Sequence, residues 1–257
     1  MKNALVIGIM ALGLVTFFTS AHAFIPGHEG VDIRAGMELE YGVRELKSLP
    51  PAVLRDAKSA VGAASIKLAI ESREGLNVFL RYGIAKVDIE YVKSIKKIKV
   101  QGKCGETLGL GFKWSAPITD VGIPIEGMRV GVGYEYLIVM SSIDRIIKGG
   151  ISRPAHPDSK IEIKKHEFSL FISEDLDFLT LYVGARYSVI LDMEIKIPKR
   201  PVIDFVAKER PGIIIGADIP LGDLLGDIIP LPLDINLNFE VEAPHEASIR
   251  FGGSIAF

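Results

Sequence analysis

Residues 31–44 alternate without exception. Val31, Ile33, Ala35, Met37, Leu39, Tyr41 and Val43 take one set of positions, and Asp32, Arg34, Gly36, Glu38, Glu40, Gly42 and Arg44 take the other. Successive side chains of a strand point to opposite faces, so the run makes a strand with one apolar and one polar face. On a helix the same charges would spread around every side. The end of the chain repeats the pattern twice. Leu233, Ile235, Leu237, Phe239 and Val241 alternate with Asp234, Asn236, Asn238, Glu240 and Glu242. After Ala243-Pro244-His245, the residues Ala247, Ile249, Phe251, Gly253, Ile255 and Phe257 alternate with Ser248, Arg250, Gly252, Ser254 and Ala256.

Shorter runs fill the middle. They centre on Ile66–Ile70, Leu76–Ile84, Leu108–Trp114, Val130–Ile138, Phe168–Ile172, Leu179–Val189 and Ile213–Ile219. With the three strong strands the count is about ten, with eight to twelve inside the error of such boundaries. Beyond the N-terminal region no stretch of about 18 residues is free of charge, so the expected class is all-β without a spanning helix. A sheet this amphipathic fits an antiparallel barrel with lipid outside. It also fits a soluble barrel or sandwich with the apolar face inside.

The first residues read as an export signal. Lys2 precedes an apolar run from Ala4 to Phe18, and Ser20-Ala21-His22-Ala23 offers a small-residue cleavage site. The expected organisation is a signal peptide over 1–23 and a single β domain over 24–257. One cysteine, Cys104, gives no internal disulfide framework. A formal net charge of −2 points to no nucleic-acid partner.

The final residues carry a more specific signal. Arg250, Gly252, Ile255 and Phe257 resemble the closing-strand signal of bacterial outer-membrane β-barrel proteins, with Ile255 where an aromatic is commoner. The resemblance implies recognition by the barrel-assembly machinery and insertion into the outer membrane. The apolar faces would then meet lipid. The polar faces would line a lumen holding Arg34, Glu38, Glu40, Arg44, Arg81, Arg129, Glu135, Arg186, Asp218, Glu240 and Arg250. Confined charges must pair, so a ladder of salt bridges is expected to fill the interior. The glycines of the inward face, such as Gly36, Gly83, Gly109, Gly111, Gly131 and Gly133, either relieve crowding or leave a narrow water path.

The turns Ser72–Gly75 and Glu174–Asp177 are short. The links Glu45–Ala60, Val92–Cys104, Met140–Lys160 and Glu194–Lys208 read as long outer loops. Lys93, Lys96, Lys97, Lys99 and Lys103 form the most basic run, a candidate contact for lipopolysaccharide phosphates or a plain solvated hairpin. His156 with Asp158, and His166 near Glu167 and Ser169, are the residues from which a hydrolase site would be built. They match no outer-membrane hydrolase family, and no enzyme is expected. His28-Glu29 is a flexible-end pair rather than a metal site. No metal or cofactor is expected. Leu221–Leu231 reads as an interfacial amphipathic turn or a partner patch. The functional expectation is an envelope scaffold or narrow small-solute pore. A surface-binding protein using the outer loops, and an outer-membrane hydrolase, are the alternatives.

Overall fold

The computed structural model describes residues 31–49, 54–176, 178–199, 201–207, 211–221, 234–244 and 246–256. The expected signal peptide over 1–23, His28-Glu29, most of Leu221–Leu231 and Phe257 lie outside them. Twelve strands form one antiparallel sheet. They are β1 (Val31–Leu49), β2 (Leu54–Ser72), β3 (Leu76–Lys93), β4 (Lys96–Pro117), β5 (Met128–Lys148), β6 (Ile151–Pro154), β7 (Lys160–Leu176), β8 (Leu179–Lys196), β9 (Ile203–Ala207), β10 (Pro211–Pro220), β11 (Asp234–Ala243) and β12 (Glu246–Ala256).

The sheet closes twice, at two heights. At the end that carries Val31 and Ala256, β12 pairs with β1 from Arg34↔Ala256 to Arg44↔Glu246, and β10 pairs with β8. That near ring runs β1-β2-β3-β4-β5-β7-β8-β10-β11-β12, ten strands. The last three strands are short and stop at mid-height. Above them β9 bridges the gap, pairing with β8 through Met193↔Phe205 and with β1 through Leu46↔Ala207. The far ring therefore has eight strands.

Chemistry inverts between the two rings. Along β3, Val78, Leu80, Tyr82 and Ile84 are exposed, while Phe79, Arg81 and Gly83 point inward. The next inward positions, Ala85, Val87, Ile89 and Tyr91, are apolar, and the outward ones, Lys86, Asp88 and Glu90, are charged. The strand keeps its parity; only the solvent on each side changes. The same switch recurs on β1, β5 and β7, and on β8 with a change of inward parity between Ile190 and Met193. An exposed apolar belt thus wraps the near half, and an apolar core fills the far half. That core joins Leu46, Ile89, Val100, Val139, Ile161, Ile163, Met193, Ile195 and Phe205, among others. The nine-residue segment of β3 from Leu76 to Ile84, which carries the belt, spans about 30 Å of strand. At the usual tilt this gives about 23 Å of height, close to the apolar band of a membrane barrel. Tyr41, Tyr82, Tyr136 and Tyr187 face outward just below the switch, where amphipathic rings favour a lipid–water boundary.

The expected long outer loops are mostly strand. β3 and β4 are joined by the two-residue turn Ser94-Ile95, and β5 runs on to Lys148. Lys160 begins β7, and β9 occupies part of the fourth link. The reason lies in the alternation. At Ile84/Ala85 its apolar phase slips by one residue, which in sequence looks like a strand end. Bulges gather near the switch, at Lys86/Asp88 against β4, Gly102/Glu106 against β5 and Lys164/Lys165 against β8. On β4 the bulge changes which parity faces inward, from Ile98 and Val100 to Thr107 and Gly109.

Candidate functional site

The interior is stacked in three storeys: an open cavity at the near end, a layer of charges, and the apolar core. The charged storey is built from inward positions at mid-height. The Arg81 guanidinium, 1% exposed, donates to Glu40 at 2.7 Å, Glu135 at 3.2 Å and Ser65 at 2.8 Å, and lies 3.0 Å from Glu38. Arg250 donates to Glu167 at 2.5 Å and stands 3.5 Å from Glu40 and 3.8 Å from Glu240. Arg186 binds Glu240 at 2.6 Å and Glu242 at 3.2 Å. Lys165 lies 2.6 Å from Glu167. Arg44 is buried in the field of Glu167, Glu242 and Glu40. Ser188 donates to Glu167, and Tyr182 to Glu240. Such pairing is what allows charges to stay ionised away from bulk water.

The residues expected to line the lumen separate into two levels. Glu38, Glu40, Arg44, Arg81, Glu135, Arg186, Glu240 and Arg250 meet in the middle storey. Arg34 and Arg129 sit lower, near the cavity mouth; Arg34 binds Glu71 at 2.6 Å, and Arg129 donates to the Ser115 carbonyl at 3.0 Å. Asp218 lines the cavity and accepts from Asn238. Lys165, Glu167 and Glu242 were missing from the expected network. Lys164-Lys165-His166-Glu167 carries polar groups on both faces, which hides its parity. Extending the inward phase from Ile161 and Ile163 would have found Lys165 and Glu167.

Below the charges lies a cavity of about 550 Å³. Asp32, Arg34, Ser72, Arg129, Asp175 and Ser254 stand at its mouth, and Arg81, Arg186 and Arg250 form its roof. Phe79, Phe171 and Tyr182 supply apolar wall. Glycine makes room for these rings: a methyl group at Gly111 would touch Phe79, one at Gly131 would overlap Phe171, and one at Gly216 would overlap Tyr182. An eight-stranded ring holds little beyond its own side chains, whereas ten strands leave modest extra width. This accounts for a cavity in the near ring and a packed core in the far one.

The expected catalytic pieces do not assemble. Ser169 faces the cavity, while His166 faces outward on the same strand and meets the Tyr134 hydroxyl at 2.7 Å. His156 and Asp158 share an exposed turn, 3.5 Å apart. On the far exterior, carboxylates of Asp192, Glu194 and Asp204 gather within 4.8 Å. Lysines already answer two of them, Lys164 for Asp192 at 3.5 Å and Lys196 for Glu194. Cys104 is exposed. Of the basic run, Lys93, Lys96 and Lys97 stand at the tip of the β3–β4 hairpin, Lys99 on its flank, and Lys103 nearest the belt. Arg250, Gly252 and Ile255 lie on β12, which pairs with β1.

The chain is a closed antiparallel β-barrel with an exposed apolar belt around one half. Solved structures with similar folds include the translocator domain of the autotransporter NalP from Neisseria meningitidis (11% identity, 99% of this chain and 98% of that one, TM-score 0.41). They also include the outer membrane protease OmpT from Escherichia coli (9%, 89% and 95%, 0.48) and Neisserial surface protein A (11%, 90% and 100%, 0.33). No protein-family profile and no curated protein matches the chain.

Proposed function

We propose that this chain is a closed outer-membrane barrel that reinforces the envelope rather than conducting solutes. The observation that carries the reading is the double filling of the lumen. A storey of paired charges is followed by an apolar core with Val87, Ile89, Ile161, Met193 and Ile195 at 0% exposed. Water and ions would have to cross both. The exposed belt and the tyrosines at its upper edge support membrane residence. The described ends of β1 and β12, Val31 and Ala256, lie at the belt end, and the short turn Arg73–Gly75 there supports a periplasmic mouth for the cavity, with the far half projecting outside. Export by residues 1–23 and assembly through Arg250, Gly252, Ile255 and Phe257 belong to the same reading. So does contact with lipopolysaccharide phosphates at the outer rim by Lys103, Lys86 and Lys164.

Single-channel recording of the refolded protein in planar bilayers tests this. Silence from folded, inserted protein is expected; discrete, reproducible openings would overturn the scaffold in favour of a pore. The projecting half favours one second reading, surface binding. Its wall is charged, and its hairpin tips hold Ile95 at 92% and Ile151 at 63% exposed beside Lys93, Lys96 and Lys97. Trimming the β3–β4 hairpin would then abolish binding to lipopolysaccharide micelles, and unchanged binding would remove that reading.

A further inference from the structure

The near-end cavity sorts its charges unequally. Its carboxylates are largely committed: Glu38 and Glu135 to Arg81, Glu71 to Arg34, Asp175 to Thr180, Asp218 to Asn238 and Glu240 to Arg186. Two wall lysines are not. Lys67 and Lys113 have no carboxylate within 4.0 Å among the described residues, and the Lys67 ammonium lies 3.9 Å from the centre of the Phe79 ring. The strongest charge–charge effect on Lys67 comes from Lys113 and is repulsive, ahead of the attraction of Glu38 and Glu135. Two cations on the wall of one half-enclosed space therefore repel each other.

Two further features point the same way. Asn77 Oδ1 and Asn236 Oδ1 are buried and have no hydrogen-bond partner among the described residues, although both residues line the cavity. Buried acceptors of this kind call for a donor. Phe171 and Tyr182, their ring centres 6.1 Å apart, join Phe79 in an apolar wall. A cavity of about 550 Å³ is of ordinary ligand size.

We propose that this cavity binds a small organic anion, its carboxylate or phosphate between Lys67 and Lys113 and its apolar body against Phe79, Phe171 and Tyr182. Rotation of the Asn77 or Asn236 side chain would bring its unpartnered Oδ1 to hydroxyl or amide donors on the ligand. The ligand enters from the end that carries Val31 and Ala256. Cavity and core are separate storeys, so a leaky core would leave this site intact.

The test uses the full refolded chain in detergent micelles, titrated calorimetrically with benzoate and with its neutral isostere benzamide. Benzoate should bind, and Lys67→Gln or Lys113→Gln should each weaken it by about tenfold or more, as expected for a lost charge-assisted hydrogen bond. Benzamide should bind more weakly and respond little to either change. Phe79→Leu, which keeps both lysines, should also weaken benzoate. Circular dichroism shows whether each variant is folded, and Phe79→Leu serves if a lysine variant is not. Equal binding of benzoate and benzamide, benzoate binding unchanged in both lysine variants, or no benzoate binding by the folded wild type would each overturn the proposal.

Discussion

The near and far halves of this barrel share seven strands and one hydrogen-bond ladder, yet they are built on opposite rules. In the near half Arg81 points inward and Leu80 outward; a few residues on, Ile89 points inward and Glu90 outward. A strand has no intrinsic inside. Apolar side chains go wherever water is absent, which is outward where lipid lies outside and inward where water does. The position of the switch therefore reads the edge of the bilayer directly from the sequence. It also shows that a charged interior belongs to the membrane-spanning part alone.

Removing the charge at the centre of the near half should have the largest effect. Arg81→Met leaves Glu38, Glu40 and Glu135 facing one another without their shared cation. It should cost roughly 3–5 kcal/mol of refolding stability, measured by urea titration in vesicles. A loss below about 1 kcal/mol would mean that these carboxylates are hydrated and the storey is not a seal.

The exterior contrast is next in size. Leu80→Arg, at the middle of the belt, should cost about 2–4 kcal/mol. Ser142→Arg, outward-facing and exposed on the far half of β5, should stay within about 0.5 kcal/mol. Equal costs at the two positions would erase the boundary between the halves.

The smallest effect concerns the far exterior. Burial alone would raise the Glu162 carboxyl, but hydrogen bonds and charge from Lys196 and Lys164 outweigh it and hold the group below its ordinary value of 4.5. A lowered carboxylate stabilises the fold above the unfolded-state value and loses that contribution as pH falls through its own lowered value. Glu162→Gln should therefore lower the thermal midpoint slightly at pH 6, and the difference should vanish toward pH 3. A difference that grew on acidification would contradict the assignment.

The near half was legible because lipid enforces strict alternation. Val31–Arg44 and the final two strands could be read residue by residue, as could eight members of the charged storey. The far half was not, because its apolar phase begins one residue out of step at Ala85. Lys86 to Lys103 then resembles a basic loop. β9 was hidden for a different reason: five residues in an irregular link carry too little pattern to mark a strand. The cavity lysines were passed over because Lys67 and Lys113 look like ordinary polar partners in their strands. Only closure of the ring sets them against the same space.

The double closure also divides the chain by order of synthesis. Every strand of the eight-membered ring, including the β9 segment that seals it against β1, is complete by Ala207. The three strands that follow contribute nothing to the far core and widen only the portion in the bilayer. These three strands are thus an addition to the belt half alone, and in chain order they follow every strand of the far ring.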